Sequence, residues 1–80
     1  MEAVHPIVYP NPGTDRLNIE SAENEIIFEL ITLTGQTVIR EQMDKGLNSV
    51  NTESLTTGIY FYRLLNNKQQ IVESGKWIKK

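Results

Sequence analysis

The side chains able to do covalent chemistry are few. His5 is the sole histidine, in the first few residues, and cysteine is absent, so histidine-based triads and cysteine nucleophiles lack either a partner or a nucleophile. Standing beside Pro6, His5 reads as an exposed side chain. Paired carboxylates do acid-base work only when they are buried near one another. Glu23 and Glu25 flank a polar turn and Glu20 falls on the outward side of a strand, so all three read as solvated charge. Residues 11–15 offer oxygen ligands on Asn11, Thr14 and Asp15, but without the repeating acidic pattern of a calcium loop. No phosphate-binding glycine loop, paired-histidine helix or dinucleotide turn occurs. The sequence therefore predicts no catalytic residue, no metal site and no cofactor, and the chain reads as a non-enzyme.

What remains is a scaffold. Eighty residues, 39% of them apolar, suffice for one core and not two, which predicts a single domain over 1–80 with its folded body from about residue 5 to 80. Without cysteine, packing must supply the stability. A net charge of -2 provides no basic field for a phosphate backbone, so nucleic acid is not an expected partner. The charge-free run at residues 30–39 is ten residues long and carries three threonines, against the roughly 20 apolar residues of a membrane helix. The chain is thus expected to be soluble and not membrane-inserted. Glu2, His5 and Pro6 replace the basic start and apolar centre of a signal peptide, so if the domain is exported, its address is expected to lie elsewhere.

Valine, isoleucine and threonine total 21 residues against two alanines, favouring pleated strands over helix. Turn residues divide the chain at short, even intervals. An extended stretch over residues 4–9 stops at Pro10-Asn11-Pro12-Gly13, where the prolines hold Tyr9 and Asn11 out of the helical region and predict a rigid corner. Residues 16–20 alternate, with Leu17 and Ile19 on one face. Residues 26–33 form an apolar strand with Phe28 and Leu30 inward, turned at Thr34-Gly35 into a return strand over 36–42 anchored by Val38. Asp44-Lys45-Gly46 turns the chain again into a short strand over 47–51. Residues 58–65 are apolar on both faces, the mark of a central strand. Asn66-Asn67 predicts a two-residue left-handed turn, and Ile71, Val72, Trp77 and Ile78 belong to a last strand. Seven short strands at this spacing predict an all-β fold, a seven-stranded immunoglobulin-like Greek-key β-sandwich. A small barrel is the alternative.

The same punctuation resembles the C-terminal sorting domain of type IX secretion system cargo. Tyr9-Pro10-Asn11-Pro12 followed by Leu17-Asn18-Ile19 is similar to the family's opening, and residues 28–38 are similar to its central hairpin. Gly46, Asn48, Val50, Leu55 and Gly58-Ile59-Tyr60 resemble its third block, and Gly75-Lys76-Trp77-Ile78-Lys79 its closing strand. Thr32 and Asn51 stand where aspartate is frequent, and Trp77 where an aliphatic residue is commoner. The resemblance implies the tail of a larger exported protein, a non-enzymatic sorting signal behind an N-terminal cargo domain. It implies a route through the periplasm to the cell surface or extracellular space. Its implied protein partners are the outer-membrane secretion machinery and a cell-surface sortase that cuts upstream of the folded body, before about Val4 or in sequence beyond this chain.

Two segments are candidates for recognition. The corner of Tyr9, Pro10, Asn11 and Pro12 is either a low-entropy docking point or a structural switch of the first strand between sheets, with Asn11 satisfying loop backbone. The closing residues Gly75, Lys76, Trp77, Ile78, Lys79 and Lys80 concentrate three of the eight cations. Lysines on an edge strand block unwanted pairing, and cations beside an aromatic also suit an acidic groove. On the second reading, deletion of residues 76–80 abolishes export while folding partly survives. Tyr60, near the start of a central strand, has the position of a tyrosine corner. The competing function is a carbohydrate-binding or adhesive module retained on the mature protein, which needs coplanar exposed rings. Trp77, Tyr9 and Tyr62 are its candidates, whereas Tyr60 and Trp77 are expected to be buried.

Overall fold

Alternating burial dominates the local structure. In the computed structural model, which describes residues 7–80, seven strands follow in order: β1 (Ile7–Tyr9), β2 (Arg16–Ser21), β3 (Ile26–Thr32), β4 (Thr37–Met43), β5 (Gly46–Asn51), β6 (Gly58–Leu65) and β7 (Ile71–Lys79). No helix occurs among the described residues. Residues 4–6 of the expected first strand, His5, and any cleavage point before Val4 lie outside them.

The strands form two antiparallel sheets, β1-β2-β5 and β4-β3-β6-β7. Connections β2 to β3, β4 to β5 and β5 to β6 pass from one sheet to the other, while β3-β4 and β6-β7 are hairpins. The inward side chains interleave to make the core. Leu17 and Ile19 of β2 and Val50 of β5 meet Ile26, Phe28 and Leu30 of β3, Met43 of β4, Tyr60 and Leu64 of β6 and Trp77 of β7. As its two apolar faces predict, β6 lies inside its sheet, between β3 and β7. The Tyr60 hydroxyl donates to the Thr56 carbonyl at 2.6 Å, the upstream backbone bond expected of a tyrosine corner, so this buried phenol is fully satisfied.

Two local expectations are corrected. Val38 does not anchor β4. The register pairs Ile31 with Thr37 but Leu30 with Ile39, so Val38 is the extra residue of a bulge. One inserted residue exchanges the two faces of everything beyond it. Ile39 packs against the core, and Val38 is left 38% exposed. The second correction concerns the β6-β7 turn, which spans residues 66–70 rather than two asparagines. Its left-handed residue is Gln69, with φ at 62°. Asn66 acts through its side chain, its Oδ1 accepting from the backbone N–H groups of Lys68 and Gln70 at 2.9 and 3.0 Å. That bonding is the other way asparagine stabilises a turn.

On the outer side of the four-stranded sheet, Glu29 is only 7% exposed. It lies between two guanidinium groups, accepting from Arg63 Nε at 2.5 Å and Arg40 Nε at 2.8 Å. The Arg63 hydrogen bond is the main force holding the Glu29 carboxyl below its ordinary 4.5, and Arg40 adds to it against the opposing effect of burial. A depressed folded-state pKa stabilises at pH above the unfolded value and is lost as pH falls through the folded one. The urea midpoint is therefore expected to hold between neutrality and about pH 5 and to drop below it. Glu29→Gln should remove part of that acid-side slope.

Candidate functional site

The two candidate segments, more than sixty residues apart in sequence, meet in space. After β1, the chain leaves the three-stranded sheet and runs along the outer edge of β7 in the other. The Tyr9-Pro10 and Asn11-Pro12 peptide bonds are both cis. At this corner, Asn11 behaves like a short piece of strand. Its Nδ2 donates to the Lys76 carbonyl at 2.7 Å, and its Oδ1 accepts from the Ile78 N–H at 3.1 Å. Gly13 continues the pairing through its own backbone, donating to the Ile78 carbonyl at 2.9 Å and accepting from the Lys80 N–H at 2.8 Å. A parallel bridge joins Gly13 and Lys79. Four backbone groups of an edge strand are thus satisfied, which removes that stretch from the pool open to intermolecular pairing.

Trp77 locks the corner from inside. Its ring is fully buried, and Nε1 donates to the Pro10 carbonyl at 2.8 Å. A Cβ on Gly13 would stand 2.9 Å from Trp77 Cζ2 and 3.0 Å from the Pro10 oxygen, so only glycine admits this approach. Gly75 plays the same part on β7, where the half-buried Tyr62 ring crosses the strand. Burial pushes the Tyr62 phenol above its ordinary 10.0, and the charge of Glu73 adds to the shift.

Lys79 corrects the expectation that all three terminal lysines line an exposed edge. Along β7, Gly75, Trp77 and Lys79 pair with Tyr62, Tyr60 and Gly58 of β6 and share the inward face. Lys79 is 6% exposed. Its ammonium donates to the carbonyls of Thr14 and Thr52, the latter at 2.8 Å. Buried Thr52 completes the knot, its Oγ1 donating to the Thr14 carbonyl and its N–H to the Asp15 carbonyl, each at 2.9 Å. One cation therefore ties the loop after the corner, the β5-β6 connection and the end of β7.

Of the ten candidates, Pro10, Asn11, Pro12, Lys76 and Lys80 are exposed, Tyr9, Gly75 and Ile78 half-buried, and Trp77 and Lys79 buried. The exposed five lie around the same joint. Deletion of residues 76–80 would take away the two buried side chains of Trp77 and Lys79 and the β7 partners of Asn11 and Gly13, so it is expected to weaken the fold as well as any recognition. In the sequence Gly13 was read only as part of the corner and Thr14 only as an oxygen donor, and Thr52 was not singled out. Only the glycine after Pro12 carries a local signal, because the roles of the threonines depend on contacts from distant strands. Among the described residues there is no pocket and no group of three metal-ligating side chains, nor a helix long and apolar enough to cross a membrane.

Residues 7–80 match the family described as the secretion system C-terminal sorting domain. The chain belongs to that family. The match spans all seven strands and both halves of the joint. The sorting domain is a C-terminal signal for type IX secretion, and its destination is the cell surface or the extracellular space. That role brings it into contact with the secretion machinery and sets it behind an N-terminal cargo. Neither a curated protein nor a solved structure matches the chain.

Proposed function

We propose that the sorting domain works without catalysis, as one folded unit over about residues 5–80 whose corner and closing strand together form the surface read by the export machinery. The observation that carries this is the joint itself. Asn11 binds the β7 backbone beside Lys76, and Gly13 binds it at Lys80. Pro10, Asn11, Pro12, Lys76 and Lys80 thereby become one exposed patch, while Trp77 and Lys79 hold it from within. Tyr9, Gly75 and Ile78 frame it. Because the patch depends on strands from both ends of the domain, it exists only in the folded tail, and a partner reading it would read folding as well. Its pre-set geometry lowers the ordering cost of docking, and the two lysines suit an acidic groove.

The strand orders β1-β2-β5 and β4-β3-β6-β7, with three crossings between sheets, support an immunoglobulin-like Greek-key reading of the sandwich. In this account, the tail is a substrate of the cell-surface sortase, which cuts upstream of the folded body. The adhesive alternative is the weaker reading, because a sugar platform needs exposed coplanar rings. Trp77 is fully buried, Tyr60 nearly so, and Tyr62 and Tyr9 are half-buried.

Charge reversal of the exposed lysines tests the patch without touching the core. In the double variant Lys76→Glu/Lys80→Glu, cargo appearing at the surface of a type IX-competent bacterium is expected to fall roughly tenfold, with periplasmic accumulation and an unchanged urea midpoint. Undiminished export of that variant would remove the patch as the site of recognition.

A further inference from the structure

The outer face of β4-β3-β6-β7 gathers three exposed large apolar side chains around a row of charge. Ile59 and Phe61 of β6 and Ile71 of β7 are 42, 44 and 57% exposed there, and Ile31 of β3 and Ile78 of β7 stand half-buried beside them in register. Between the apolar rows runs a charged one, Arg40-Glu29-Arg63. With Lys76 at the outer end of the Ile31-Phe61 row, the face carries three cations and one anion, a charge of +2. The described residues 7–80 hold 8 cations and 9 anions, so those outside this face have 5 cations and 8 anions, a charge of -3. An apolar, cationic face is thus set on an acidic body. Both arginines engage Glu29 through Nε, which leaves most of each guanidinium's five donors for an outside acceptor and fixes the fork that recognises carboxylates.

We infer that this face is a docking surface for a protein whose contact region is apolar with carboxylates near its centre. A second copy of the chain would oppose +2 to +2. A lipid surface would have to take in the Glu29 carboxylate from the middle of the face, whereas a protein carboxylate there completes the row of alternating charge. The inference goes beyond the proposed patch and is tested through residues that the patch does not use.

The full cargo chain bearing this tail, with a photoreactive phenylalanine analogue in place of Phe61, is to be crosslinked in a type IX-competent bacterium. The expected result is an adduct to one protein at a peptide rich in aspartate or glutamate. Its yield should fall roughly tenfold in the triple variant Glu29→Gln/Arg40→Gln/Arg63→Gln, and should recover in Arg40→Glu/Arg63→Glu when the partner's carboxylates are exchanged for arginine. Limited proteolysis reports whether each tail is folded. If the triple variant is not, Ile59→Ser should give the same loss. An unchanged yield in a folded variant, adducts only to lipid or to a second copy, no recovery on charge exchange, or no adduct from the folded tail would each overturn the inference.

Discussion

Replacing Trp77 with alanine is expected to remove about 3–5 kcal/mol of folding stability. Surface delivery of the cargo should be lost with it. The indole is the largest fully buried side chain of the domain and packs against Tyr60, with ring centroids 6.1 Å apart. It is also the one core residue that bonds the corner, through Pro10. Packing and hydrogen bonding separate in a graded series. Trp77→Phe keeps most of the apolar ring but leaves the Pro10 carbonyl without its donor, a loss of about 1–2 kcal/mol. Urea denaturation of both variants checks the order. Equal losses would mean that the hydrogen bond, rather than the ring, carries the effect.

The second large effect is expected at Lys79. Buried charges are usually paired with an opposite charge, yet this ammonium is held by the Thr14 and Thr52 carbonyls. Lys79→Ala removes one donor from each oxygen, while the Thr52 oxygen keeps the Leu55 N–H at 3.1 Å and the Thr14 oxygen keeps Thr52 Oγ1. The expected cost is about 2–4 kcal/mol, combining a charge-assisted hydrogen bond with lost packing. Lys79→Met restores most of the volume and recovers only the packing share. If methionine proves as stable as lysine, the two carbonyl bonds contribute nothing net, as happens when a buried charge is exchanged for a well-packed apolar side chain. The exposed Lys76 and Lys80 should show no comparable stability change.

These effects bear on what could be read from the sequence. Seven strands and most of their inward residues were legible, because a half-buried strand writes its two faces as a period of two and its ends as glycine, proline or asparagine. Leu17, Ile19, Phe28 and Leu30 all face the core as that period predicts. The misreadings arose where one residue breaks the rhythm. Nothing in residues 30–39 marks a bulge, so Val38 took the position that Ile39 holds. At the β6-β7 turn, asparagine has two ways to act, and residue type alone did not choose between a left-handed backbone and a side-chain bond.

The joint between corner and closing strand was legible only in halves. Both segments stood out locally, one for its prolines and one for its lysines around a tryptophan. Their meeting rests on Asn11 imitating a strand across 65 residues of sequence, a contact without local signal. Lys79 was misplaced for a related reason. Lysine is ordinarily a surface residue, yet its alternation with Trp77 puts both side chains on one face.

The most direct test joins residues 1–80 to the C-terminus of a periplasmic reporter in a bacterium that carries the type IX system. The account predicts the reporter at the cell surface or in the medium, and retention in the periplasm when the system is disabled. A reporter that stays in the periplasm of the competent strain while its tail is protease-resistant, and so folded, would contradict it.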